Sequence, residues 1–160
     1  MPVYSETIEN DKIVNKLKNK YHNILIIGCG SCMNESLSYK YDTPIFEDTT
    51  TEFPYSTNKE LERLTNILLD NGFNVECKII LPHSKLLCMR DNQNGENDFF
   101  LKKPDVILAL SCPAGLFGIR TSIKNIPIIR ITEQHGFLSY LYKEQNKQRW
   151  INKDLSIVMK

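Results

Sequence analysis

Asn23-Ile24-Leu25-Ile26-Ile27-Gly28-Cys29-Gly30-Ser31-Cys32 is an unbroken aliphatic run that ends abruptly at two glycines and two cysteines. A strand that is apolar on both faces belongs in a parallel sheet covered by helices on each side. The reading therefore puts a buried strand at about residues 23–28, delivering two thiols to one spot beyond its carboxyl end. Cys88 and Cys112 each stand near the end of a further apolar run. A parallel sheet gathers such loops along one edge, so a four-thiolate metal or cluster site at the carboxyl edge of an α/β sheet is expected.

Working outward, Ile13, Val14, Leu17 and Tyr21 recur at helical spacing and predict an amphipathic helix within residues 7–21, packed on the sheet. Periodicity is lost from Met33 to Ser56, and this 33–56 stretch reads as a long loop carrying Tyr39, Tyr41, Phe46, Phe53 and Tyr55. Such loops are usually functional lids or linkers, and its aromatics suit either a packed lid or a landing surface for a partner. Thr57-x-x-Glu60 predicts a capping box opening a helix through Leu61, Leu64 and Leu68, with Asn71-Gly72 as its stop. A second strand is expected over Phe73–Leu81, then a short segment Ser84–Met89 carrying Cys88, and a surface turn from Arg90 to Asp98 around Asn94-Gly95.

The third strand is Val106–Leu110, running into Ser111-Cys112-Pro113-Ala114-Gly115, with a helix over about 114–124 and a fourth strand over Ile126–Ile131. Strands alternating with helices imply right-handed crossovers and a three-layer α/β fold, a Rossmann-like or flavodoxin-like parallel sheet with helices on both faces. Phe137–Lys143 and Arg149–Lys153 read as a C-terminal β-hairpin bearing Tyr140, Tyr142 and Trp150. No internal repeat is present. The 160 residues suit one domain with a core at 22–132 and the hairpin extension at 137–153, long enough to bury roughly two thirds of the unfolded chain's surface.

Twenty basic and nineteen acidic side chains leave the chain close to neutral, with no electrostatic footprint for nucleic acid or an anionic membrane. The amino terminus lacks a basic region followed by an apolar one, so a cytoplasmic location is expected. In a reducing compartment, five cysteines argue for metal ligation or redox chemistry over structural disulfides.

Cys29-x-x-Cys32 alone fits a redox dithiol, half a zinc site or part of an iron-sulfur site. Adding Cys88 and Cys112 gives one close pair and two distant singles, a spacing a [4Fe-4S] cluster tolerates better than zinc, which usually draws two close pairs. Gly28 and Gly30 are expected to shape the cofactor-binding turn and to leave amides free for the sulfurs. Cys77, inside the second strand, is expected to have no ligand duty. His22, His83 and His135 are isolated, His83 being the one candidate substitute ligand because it is nearest Cys88. Gly28-x-Gly30 resembles the opening of a dinucleotide fingerprint, but Met33 stands where the third glycine belongs, so a nucleotide site is not expected. Ser31 and Ser111 lack a nucleophile-elbow context, and Glu47, Asp48 and Glu52 read as a solvated loop.

Ile26-Ile-Gly-Cys-Gly-Ser-Cys32, the lone Cys88 and Asp105-Val-Ile-Leu-Ala-Leu-Ser-Cys-Pro-Ala-Gly115 together resemble the C-terminal or small-subunit domain of methylenetetrahydrofolate reductases, over most of residues 22–132. The resemblance implies Cys29, Cys32, Cys88 and Cys112 as iron-sulfur or zinc ligands. It also implies a flavin-containing methylenetetrahydrofolate reductase-type subunit as partner, with a corrinoid methyltransferase as the second candidate. This chain departs from the family at Asn34-Glu35-Ser36, where members carry a glycine pair, and in the hairpin after residue 136. The functional expectation is an electron-transfer or accessory subunit of one-carbon metabolism. Its alternatives are a zinc-holding assembly module and a thiol-redox enzyme using Cys29 and Cys32.

Overall fold

The computed structural model describes residues 2–81, 88 and 102–160. Its centre is a four-stranded parallel sheet in the order β3-β2-β4-β5, formed by β2 (Asn23–Cys29), β3 (Asn74–Ile80), β4 (Val106–Leu110) and β5 (Ile128–Arg130). Ile24 to Ile27 and Val106 to Leu110 are almost wholly buried, as the aliphatic runs require of inner strands. At the amino edge the Asp105 carboxylate accepts the backbone N–H groups of His22 and Asn23 at 2.9 and 2.8 Å, fixing the start of β2 beside the start of β4.

From β2 the chain moves one way to β3, while from β4 it moves the opposite way to β5. Right-handed crossovers in opposite directions put their helices on opposite faces. Thus α2 (Cys32–Tyr41) and α3 (Tyr55–Asp70) cover one face, and α4 (Pro113–Ser122) covers the other. The reversal also opens a crevice between the carboxyl ends of β2 and β4, where open α/β sheets bind ligands.

Helix α1 (Asn10–Leu17) lies within the expected amphipathic stretch and buries Ile13 and Leu17. Three features differ from the sequence reading. The supposed loop begins with α2, whose apolar side is only Met33 and Leu37 amid polar residues, too thin a stripe to show periodicity. Residue 42 closes it in the left-handed conformation, with Asp42 at φ 53°. Helix α3 starts two residues before Thr57, so Thr57 and Glu60 form no capping box. Glu60 instead grips Arg63 through two hydrogen bonds of 2.9 and 2.7 Å.

The third difference is a second, antiparallel sheet, β1-β6-β9, from Val3–Thr7, Thr132–Ser139 and Ile157–Met159. It takes the first part of the segment expected to be hairpin. The hairpin itself is narrower, β7 (Tyr142–Gln145) with β8 (Gln148–Ile151), turning through Asn146 and Lys147 at φ 53° and 63°. Two successive positive φ values make the turn whose twist suits a two-residue hairpin. This unit has its own apolar cluster, Tyr4, Ile45, Phe46, Leu138 and Ile151, with Tyr39 packed against it. Phe46 and Tyr39 of the aromatic stretch therefore serve the protein's own core, while Tyr41 and Phe53 are exposed. The segment Ser84–Met89 apart from Cys88, His83 and the turn at Arg90–Asp98 lie outside the described residues. Among those described, no helix is long and apolar enough to cross a membrane.

Candidate functional site

The crevice between β2 and β4 is lined by the two loops that the sequence singled out. On one side, Gly30 N–H donates to the Ile80 carbonyl at 2.8 Å, and Thr57 Oγ1 donates to the Cys29 carbonyl at 2.9 Å. These two bonds clamp the β2–α2 loop to β3 and α3. The Gly30 amide is therefore spent on the backbone, not on a sulfur. Gly28 is needed for packing: a Cβ there would stand 2.9 Å from Thr57 Cγ2 and 3.1 Å from Leu61 Cδ1.

On the other side, Thr132 Oγ1 donates to the Ser111 carbonyl at 2.6 Å, and Cys112 caps the start of α4 with Pro113 in its first turn. Proline at that position loses nothing, since its missing N–H would have been unpaired, and the remaining amides face the cap.

The cysteines have four different environments. Cys29 is buried in the main apolar cluster, Cys112 is buried beside it, Cys32 is half-buried, and Cys77 and Cys88 are exposed. Cys77 lies on the edge strand β3 in hydrogen-bond contact with Thr65 Oγ1 at 3.0 Å. The charges of Cys112 and Cys88 are felt at Cys29, and that of Cys29 at Cys32. Among the described residues, no group of three or more His, Cys, Asp or Glu side chains could hold a metal ion. This corrects the expected [4Fe-4S] cluster and its zinc alternative on Cys29, Cys32, Cys88 and Cys112. The physical reason is that Cys29 is packed into the apolar core cluster while Cys88 is exposed, so sharing one sheet edge does not make the four cysteines a ligand group.

What the edge does assemble is a thiol pair. Cys32 hydrogen-bonds the Cys112 sulfur, and the backbone N–H groups of Gly115, Ala114 and Cys112 also donate to that sulfur. The Cys32 bond first, and then the amides, outweigh burial and bring the Cys112 thiol down to about 6. A helix amino terminus favours a thiolate in the same sense. The same hydrogen bond, with burial, pushes the Cys32 thiol up. One proton is thus shared by the pair, and the charge rests on Cys112. Burial raises Cys29 to about 11, against the amides of Ser31 and Met33, so it stays a neutral thiol.

One turn beyond Cys32, Glu35 accepts the Tyr140 hydroxyl and, at 3.2 Å, the Tyr142 hydroxyl. Burial pushes its carboxyl above the ordinary carboxylate value despite both tyrosines. Glu35, Glu52, Arg149, Tyr142, Phe46 and Ile45 line a cavity of about 190 Å³ with Gly30 and Ser31. Sequence reading gave Glu35 and Arg149 no role. Cys32-x-x-Glu35, on one face of a helix, was the available signal, and the unrecognised α2 concealed it. No family model, curated protein or solved structure matches this chain.

Proposed function

We propose that the protein is a thiol–disulfide redox protein in which Cys32 and Cys112 interconvert between dithiol and disulfide. The observation that carries this reading is the Cys32–Cys112 hydrogen bond, with the charge on Cys112 held by the first turn of α4. Cys32 is the accessible sulfur of the pair and Cys112 its buried partner.

As the Cys32 sulfur attacks a substrate disulfide, its proton passes along the shared bond to Cys112. A mixed disulfide forms and the substrate's other sulfur leaves as a thiolate, which takes the proton from Cys112. The Cys112 thiolate, stabilised by the α4 amides, then attacks the Cys32 sulfur and expels the second thiolate, which takes a proton from water. The net change is one disulfide and two thiols in, one disulfide and two thiols out. Two electrons move from the protein to the substrate, and a reducing dithiol reverses the sequence.

A reducing cytoplasm suits five free cysteines. The resemblance to the small-subunit domain supports an accessory role, with a flavin-containing methylenetetrahydrofolate reductase-type subunit or a corrinoid methyltransferase as the redox partner.

The test is to oxidise the reduced protein with hydroxyethyl disulfide, block the remaining thiols and map the linked peptides. A Cys32–Cys112 cross-link, with Cys29 still free, supports the reading. Cross-links confined to the exposed Cys77 or Cys88, with Cys32 and Cys112 both alkylated, overturn it.

A further inference from the structure

When Cys112 closes the disulfide, the second thiolate departs from Cys32 and must be protonated. Glu35 lies three residues after Cys32 on α2, a spacing that puts both side chains on one face of the helix. Its charge is felt at the Cys32 sulfur. Glu35 also lines a cavity with Gly30 and Ser31, the residues that lead into Cys32, and at about 190 Å³ this cavity has room for roughly six waters at about 30 Å³ each.

The two oxygens of Glu35 differ. Tyr140 and, at 3.2 Å, Tyr142 both donate to Oε1, and the two hydroxyls lie 2.9 Å from each other. Oε2 has no partner. Arg149, which lines the same cavity, is held by Glu144 at 2.8 and 2.7 Å and by Glu52 at 3.9 Å, so its charge is spent on those carboxylates. No ion pair joins Glu35 to a lysine, arginine or histidine among the described residues. A carboxyl drawn out of water without a cation holds its proton more tightly. Burial accordingly raises Glu35 above the ordinary carboxylate value, while the two tyrosines and the charge of the amino terminus act in the opposite sense. One oxygen is thus fixed and the other is free to carry a proton, the arrangement a general acid requires.

We propose that Glu35 is the general acid of the thiol–disulfide exchange, protonating from Oε2 the thiolate expelled from Cys32. The proposal rests on the thiol-redox reading, because it assigns a catalytic residue to that same pair. The Cys112 sulfur bonds to the Cys32 sulfur, the bond between Cys32 and the substrate sulfur breaks, its electron pair leaves on the substrate sulfur, and the Glu35 proton joins it there. Glu35 becomes a carboxylate held by the two tyrosine hydroxyls and regains its proton from water in the cavity, so the proton drawn from water reaches the thiolate by way of Glu35. In the reverse direction the carboxylate takes the proton of the thiol that attacks the Cys32–Cys112 disulfide.

An acid helps a poor leaving group and is redundant for a good one. Hydroxyethyl disulfide expels a weakly acidic thiol, whereas bis(2,2,2-trifluoroethyl) disulfide, equally uncharged, expels a much more acidic one. The adduct that each leaves on Cys32 is followed by mass spectrometry of acid-stopped samples as it resolves to the Cys32–Cys112 disulfide. Glu35→Gln keeps an oxygen for the tyrosines but has no acidic proton. It is expected to slow resolution of the hydroxyethyl adduct about 100-fold, the lower end of what acid catalysis contributes, and to leave the trifluoroethyl adduct little changed. In the wild type, the ratio of the hydroxyethyl to the trifluoroethyl rate, from which the ionisation of Cys112 cancels, falls as pH rises through the ionisation of Glu35. That ratio stands even if the variant does not fold. Equal effects of Glu35→Gln on both adducts, or a ratio that does not change with pH, overturn the acid role while the redox reading survives. If neither adduct on Cys32 resolves onto Cys112, the redox reading fails and the acid role with it.

Discussion

The Asn34 side-chain oxygen accepts the backbone N–H of Thr57 at 2.8 Å, so that a residue of α2 caps the first turn of α3. Pro54, at the capping position of α3, makes no side-chain bond of its own. Asn34 Nδ2 donates to the Ile45 carbonyl at 2.9 Å, and the whole side chain is buried. One amide thus ties the site helix, the segment after it and the start of α3. Asn34→Leu removes both bonds and leaves the Thr57 N–H unpaired, while the Ile45 carbonyl keeps the Tyr55 N–H at 3.0 Å, a loss of about 1–3 kcal/mol. Urea unfolding of the variant against the wild type measures it; a change below about 0.5 kcal/mol, the ordinary range for surface substitutions, contradicts the capping role.

Gly28→Ala presses a methyl group against Thr57 Cγ2 and Leu61. Overpacking of this kind costs about 1–3 kcal/mol. Thr57→Ser removes Cγ2 while keeping the hydroxyl that donates to the Cys29 carbonyl. The double variant is therefore expected to recover part of the loss, read as a favourable interaction energy in the double-mutant cycle. Strict additivity would show that Gly28 is present for another reason.

Cys29 is a buried thiol raised from the ordinary 9.0 to about 11. The folded value lies above the unfolded one, so its contribution to stability is complete below pH 9 and is lost as pH rises through 11. Two units correspond to about 2–3 kcal/mol. Chemical unfolding at pH 8 and pH 11 should show Cys29→Ala losing less stability over that interval than the wild type. Parallel losses would place Cys29 in contact with solvent.

Much of the framework is written in β2 and β4, whose runs of four and five buried aliphatic residues dictate inner parallel strands. The sheet edge that carries Cys32 and Cys112 follows from their positions just past those strands. Sulfur direction does not follow, because it depends on where each strand ends relative to its pleat: β2 runs through Cys29, whereas Cys112 lies in the loop beyond β4. Helix α2 was hidden because its buried face includes Asn34, Ser36 and Ser38, polar residues satisfied by backbone groups outside the helix such as Ile45 O, Val3 O and Thr43 O. Likewise, β1 becomes a strand by pairing with β6, more than a hundred residues away, a contact that no local pattern announces. The Glu35 cavity needs both α2 and the hairpin before it exists.

The pH dependence of Cys32 and Cys112 alkylation is the most direct test of the central claim. Iodoacetamide reacts with thiolates, so the rate follows ionisation of the pair. With each modified peptide quantified by mass spectrometry, first-thiolate formation in the pair is expected near pH 6, set by the Cys32 hydrogen bond and the α4 amides at Cys112. In Cys32→Ser the midpoint should move towards the ordinary 9.0, because a hydroxyl is a poorer proton partner in the shared bond. A wild-type midpoint near 9, unchanged by Cys32→Ser, would contradict the account.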